Sequence, residues 1–140
     1  MSGINLGRWL AGGVAAAAVI WLVEGMASML YLADMQAALR AHGLSMDMTA
    51  ATWALTVVMS LVGGLTLVFF YAAARARFGP GPRTATIVAA ALWLGGSLLS
   101  LLGYRMIGLY PGRMLAQWGV VGLVELILAA MLGAWIYRET

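Results

Sequence analysis

MTAATWALTVVMSLVGGLTLVFFYAAA, residues 48–74, is a run of 27 residues without a charge. At ~1.5 Å of helical rise per residue it outreaches the ~30 Å hydrocarbon core of a bilayer, for which about 20 apolar residues suffice. Lipid offers no partner for unpaired backbone groups, so an apolar run of this length has to be a transmembrane helix.

Three more such runs lie around it. Between Arg8 and Asp34 stand 25 residues broken only by Glu24, Thr84 to Tyr104 is 21 residues, and Met114 to Tyr137 is 24 broken only by Glu125. The spans are expected at about 9–33, 48–76, 84–105 and 114–137, forming one domain over residues 1–140. Leu32–Thr49 reads as an extension of the first helix stopped at Gly43, with Ser45, Asp47 or Thr49 capping the second. Phe78-Gly-Pro-Gly-Pro-Arg83 and Leu109-Tyr-Pro-Gly-Arg113 are breaker clusters. Connections this short predict antiparallel neighbours, hence an all-α, up-down-up-down four-helix bundle. Trp9, Tyr31, Trp53, Tyr71, Tyr104, Trp118 and Tyr137 near the span ends read as an interfacial belt.

Composition agrees with the spans. Of the 140 residues 64% are hydrophobic and 9% charged, against roughly 25% charged in soluble domains. The mean hydropathy is +0.94. Such a chain lacks the charge to cover a soluble surface, which argues against a soluble enzyme, a disordered tail and a nucleic-acid binder. Cysteine is absent, so disulfides, thiolate nucleophiles and Cys-based metal sites are excluded. The N-terminal apolar run is too long for a signal-peptide core and has no evident cleavage site. All eight cations are Arg. Arg8, Arg75, Arg77, Arg83 and Arg138 fall on one side, and Arg40, Arg105 and Arg113 on the other with Asp34 and Asp47. That asymmetry predicts cytoplasmic termini.

Two acids lie inside the spans. Glu24 is ten residues from Asp34 and Glu125 is twelve from Arg113, which sets both ~15–18 Å below the same boundary. A lone carboxylate at that depth costs several kcal/mol, so both are expected to face the bundle interior, protonated or sharing a proton. Hydroxyls recur at helical spacing on the other helices: Thr49, Thr52, Thr56, Ser60 and Gly63 on the second, and Thr86, Ala90, Trp93, Ser97, Ser100 and Tyr104 on the third. Ala17, Trp21, Ala27 and Ser28 share the face of Glu24, and Gly122 and Ala129 that of Glu125. Glu24, Glu125, Ser28, Thr56, Ser60, Ser97 and Ser100 are therefore the candidate intramembrane polar site. Gly63, Gly64, Gly95, Gly96 and Gly122 are the candidate packing positions, since small residues let helices approach closely in lipid.

A faint repeat links Ala16-Ala-Ala-Val-Ile-Trp-Leu22 to Ala89-Ala-Ala-Leu-Trp-Leu94, and the Trp53–Tyr71 stretch to Trp118–Tyr137. Such a parallel two-plus-two repeat is a pattern that transporters use. His42 is the sole histidine. With Met46 and Met48 it makes a poor copper set, because Met elsewhere is apolar filler. No phosphate loop and no Ser-His-Asp set can be assembled, so no catalytic residue, metal or cofactor is assigned.

Glu24 in the first span, Arg77-Phe-Gly-Pro-Gly-Pro-Arg83 between spans two and three, and Trp118-Gly…Glu125…Trp135-Ile-Tyr-Arg-Glu139 at the end resemble small four-span bacterial integral membrane proteins with no assigned activity. That resemblance implies the fold and a bacterial inner (cytoplasmic) membrane, and implies no reaction. The expected function is non-enzymatic: a structural or accessory subunit packing through helix faces. Its expected partners are the lipid bilayer and a homo-oligomer or other membrane subunits, with no nucleic acid. The alternative is a small proton- or cation-coupled carrier or channel using Glu24 and Glu125.

Overall fold

The computed structural model describes residues 4–138, and these form an all-α bundle of four membrane-spanning helices. They are α1 (Leu6–Ala41), α2 (Ala50–Phe78), α3 (Pro82–Met106) and α4 (Gly112–Ile136). Within α3, Trp93–Leu98 is a π-helical stretch.

Local chemistry sets the boundaries. The Asn5 side chain caps α1 by accepting from the Arg8 N–H at 3.0 Å. At the far end Gly43, at φ +70°, ends the helix. The Gly43 N–H donates to Arg40 O at 3.0 Å and the Leu44 N–H to Leu39 O at 2.9 Å, the paired bonds of a Schellman motif. The extension of α1 past the membrane boundary is thus present. Its 36 residues make a rod of ~54 Å, longer than the hydrocarbon core is thick. Of the three candidate caps for α2, Thr49 serves, accepting from the Thr52 N–H at 3.3 Å. Between α2 and α3, Gly79 and Gly81 take positive φ, and Pro82 opens α3, where no N–H partner is needed.

Helix α1 packs against α2 and α4, and α3 packs against the same two. α2 and α4 also touch, whereas α1 and α3 do not meet among the described residues. Along α1, Trp9 and Trp21 reach Leu65 and Thr56 of α2 in turn, so these two helices run in opposite directions. Gly12 against Gly133 and Tyr31 against Trp118 give the same sense for α1 and α4.

Small side chains fill the helix crossings, beside a few large enclosed ones (Tyr31, Leu67, Met114, Tyr137), and large apolar side chains cover much of the exterior. Ala16, Ala85, Ala89 and Ala129 are fully enclosed, while Met26, Met29, Leu30 and Val120 point outward. Lipid tails are as apolar as Leu, so burying Leu gains little here. Close backbone approach and van der Waals contact hold the helices instead. The closest approach lies where Gly12 and Gly13 of α1 meet Gly64 of α2 and Gly133 of α4. A Cβ on Gly12 would stand 2.8 Å from Gly133 O, and one on Gly133 would stand 2.5 Å from Val68 Cγ2.

Three of the expected packing glycines behave differently. A Cβ on Gly63 would meet only Ile20 Cδ1, at 3.6 Å, and Gly95 and Gly96 have nothing within 4 Å. Gly95 and Gly96 face outward in the π stretch, so they do not pack within the chain. Gly122 rests on the Trp93 ring at ordinary distance. Gly119 and Gly133, absent from the expected set, make tighter contacts, and so does Gly12, whose pairing with Gly13 is a double glycine of the same kind as Gly63-Gly64.

Three of the aromatics near the span ends, Tyr31, Tyr71 and Tyr137, are buried, and each phenol oxygen has a polar partner. Tyr71 accepts from the Gly81 N–H at 3.1 Å and Tyr137 from the Asn5 N–H at 3.2 Å. These two rings meet edge to face at 6.3 Å. Arg75 donates to Tyr137 O at 3.1 Å and covers the Tyr137 ring. This cluster ties α2, α4 and the start of α1 together at the end that carries both termini.

The faint repeat has a counterpart. Trp21 donates its indole N–H to Thr56 at 3.1 Å, and Trp93 donates its own to Gly119 O at 2.9 Å. In both cases the tryptophan fastens its helix to the next one packed beside it. Trp93 and Tyr104 are one residue further apart than Trp21 and Tyr31. The π stretch, with its wider i→i+5 turn, begins at Trp93 and lies within that interval.

Candidate intramembrane carboxyl site

Glu24 and Glu125 each sit far from the ends of their helices. The antiparallel α1–α4 contact sets them opposite one another, with the carboxyl of Glu24 within hydrogen-bonding reach of Glu125. Glu125 is only 7% exposed. Its Oε2 is enclosed and accepts from no N–H or hydroxyl. Two carboxyls can bond to each other only through a proton. If both were ionised about 4 Å apart, they would repel by roughly 4 kcal/mol even at an effective dielectric of 20.

A third group completes the site. Tyr31, 1% exposed, donates its phenol hydrogen to Glu24 Oε1. The two residues are seven apart, two helical turns on one face, and a helical side chain leans toward the N-terminus. Glu24 is therefore held between Tyr31 on its own helix and Glu125 across the seam. Glu24 and Glu125 both act on Tyr31, and Glu24 acts on Glu125, so the three groups form one set.

An aromatic cluster closes the seam on the side away from the termini. Trp118 lies 6.0 Å from Tyr31 and is stacked at 6.0 Å on Tyr104, with planes 2° apart. Tyr110 meets Tyr104 at 5.4 Å and Trp118 at 6.1 Å, edge on. Burial, and Tyr104 beside it, push the Tyr110 phenol above its ordinary value, so it keeps its proton at physiological pH.

The remaining hydroxyls expected at the site are engaged elsewhere. Ser28 donates to Gly25 O at 2.7 Å and Ser100 to Gly96 O at 3.0 Å, each bonding back to its own helix. Thr56 accepts from Trp21 and donates to Trp53 O at 2.8 Å. Ser60 lines the α1–α2 groove, and Ser97 sits in the π stretch of α3, a helix that does not meet α1. The structure brings together Glu24 and Glu125 and leaves the five hydroxyls apart from them. In their place stand Tyr31 and Trp118. The seven-residue spacing of Glu24 and Tyr31 was the available signal for the first.

Chemically, the arrangement is an acid pair able to keep, exchange and relay one proton inside the membrane. Among the described residues no three His, Asp or Glu side chains gather into a metal-binding group. No protein-family model, curated protein or solved structure matches this chain.

Proposed function

We propose that the protein is a small proton-coupled membrane carrier working through the Glu24–Glu125 pair. The observation that carries this reading is the enclosed Glu125 carboxyl set against a Glu24 carboxyl that Tyr31 also engages, so that Tyr31, Glu24 and Glu125 form one polar chain. Ionisable groups are costly to retain at that depth, and such a chain is suited to taking up and releasing protons. Tyr31 supplies the relay hydroxyl that the pair alone lacks.

On this reading the protein is not an enzyme. Its five-to-three distribution of arginines supports cytoplasmic termini under the positive-inside rule, and the compartment proposed with it is a bacterial inner membrane. A second reading, a structural or accessory subunit, draws on the outward Gly95 and Gly96 of α3, where a partner's helix has room to approach closely.

The test is flux. Wild type, Glu24→Gln and Glu125→Gln are reconstituted in vesicles holding a pH dye, and a pH gradient is imposed. Wild type should dissipate the gradient faster than protein-free vesicles, and either Gln variant, still folded, should fall to that background. Equal rates in all three proteins would return the pair to a structural role.

A further inference from the structure

Five of the eight arginines gather at the end of the bundle that carries both termini. Arg8 lies in the first turn of α1, Arg75 and Arg77 in the last turn of α2, Arg83 in the first turn of α3, and Arg138 just past α4. The bonds from Asn5 to Tyr137, from Arg75 to Tyr137 and from Gly81 to Tyr71 hold these four helix ends together. The described acids lie elsewhere: Glu24 and Glu125 within the spans, Asp34 and Asp47 toward the other end. Glu139 is outside the described residues.

The arginines differ in what they face. Arg75 is turned inward onto Tyr137. Arg77 and Arg83 are exposed on either side of the turn at 79–81. That turn is fixed from within: Thr84 donates its hydroxyl to Gly79 O at 2.7 Å, the Gly79 N–H donates to Arg75 O at 2.9 Å, and the Gly81 N–H to the Tyr71 phenol at 3.1 Å. These bonds use neither guanidinium, so Arg77 and Arg83 present their charge outward from a rigid corner.

The side chains beside those charges select the partner. Phe78, next to Arg77, is 59% exposed, and Trp135 is 61% exposed with the Arg138 guanidinium 5.5 Å from its ring centroid. Aromatic rings at span ends settle at the level where acyl chains meet headgroups. Guanidinium forks at that level meet phosphate oxygens and bind them in pairs. A soluble anion would match the charges and leave both rings in water. A zwitterionic headgroup balances its phosphate with its own ammonium, whereas a net negative one leaves the charge for the protein to meet.

We propose that the termini end of the bundle is a docking surface for anionic phospholipid headgroups, with Arg77 and Arg83 as the principal contacts and Arg8 and Arg138 beside them. This surface does not depend on proton exchange at Glu24 and Glu125.

Purified wild type in a non-ionic detergent is titrated with phosphatidylglycerol or with phosphatidylcholine of identical chains, and native mass spectrometry counts the lipids retained. Phosphatidylglycerol should be held roughly tenfold more tightly, and the preference should shrink as salt rises. Arg77→Gln combined with Arg83→Gln should bring the two lipids close to parity. Arg105→Gln combined with Arg113→Gln, at the opposite end, should leave the preference intact. Equal retention of both lipids by wild type, or an equal loss of preference in the two double variants, overturns the proposal. Displacement of phosphatidylglycerol by an equal concentration of glycerol 3-phosphate also overturns it, since the surface would then be a site for soluble anions.

Discussion

Replacing Gly64 by Ala puts a methyl group where α1 and α2 have no room for one. The new Cβ would stand 2.8 Å from Ala17 Cα, and closer still to Ala17 N and Gly13 O. These are backbone atoms, so no rotamer change relieves them. Carbon contacts are comfortable only from about 3.5 Å, so the helices must separate by roughly 1 Å. Overpacking of this kind costs about 1–3 kcal/mol. The better helix propensity of Ala returns up to ~1 kcal/mol. Separation also strains the Trp9 indole bond to Leu65 O at 2.8 Å, worth about 1 kcal/mol. Gly63→Ala is the internal control: its Cβ meets Ile20 Cδ1 at an ordinary 3.6 Å, so only the propensity gain of up to ~1 kcal/mol remains. The propensity gain is common to both variants and cancels, so adjacent glycines should differ by about 1–4 kcal/mol, with Gly64→Ala the less stable. Unfolding in mixed micelles of rising dodecyl sulfate content, followed by tryptophan fluorescence, reads the difference. Equal midpoints for the two variants would refute the close α1–α2 crossing at Gly64.

Three further outcomes follow from the same contacts. Tyr31→Phe removes the donor to Glu24, so proton exchange should slow and its pH profile move, while stability drops by only ~0.6 kcal/mol, the average for a membrane hydrogen bond; an unmoved profile would take Tyr31 out of the relay. Glu125→Gln keeps a donor facing Glu24 and should unfold near the wild-type midpoint, whereas Glu125→Leu leaves Glu24 without its partner and should unfold earlier; the reverse order in micelles would contradict the pairing. A reporter at the C-terminus should read cytoplasmic and one inserted after Gly43 external, and a cytoplasmic signal after Gly43 would reverse the orientation drawn from the arginines.

Much of the fold is legible in the sequence because membrane insertion depends on length and apolarity, which a sequence displays directly. The four spans and the Gly43 stop follow from charge positions and capping chemistry, which also narrow the α2 cap to three residues, of which Thr49 serves. The approach of Glu24 to Glu125 follows from equal depth, since charged residues at both span ends act as rulers. What hydropathy cannot convey is which face of an all-apolar helix turns inward. Gly95 and Gly96 look no different from Gly63 and Gly64 in sequence, yet they point out of the bundle while Gly64 lies at its tightest contact. The serines and threonines misled for a related reason. Their periodicity is real, but Ser28 and Ser100 satisfy themselves on the preceding turn and need no neighbour. Tyr31 was hidden by its closeness to the membrane boundary, where tyrosine is ordinarily interfacial. Its side chain instead reaches two turns back into the span.

The claim at the centre of this account is that the Glu24–Glu125 pair holds an exchangeable proton and not a permanently sealed one. Infrared difference spectroscopy of the protein in lipid films measures this directly, through the carbonyl stretch of a protonated carboxyl. Wild type should show a band that changes with bulk pH and shifts on transfer to D₂O, and that is lost or simplified in both Glu24→Gln and Glu125→Gln. A wild-type band indifferent to pH and to D₂O, or one that survives unchanged in both variants, would contradict the account.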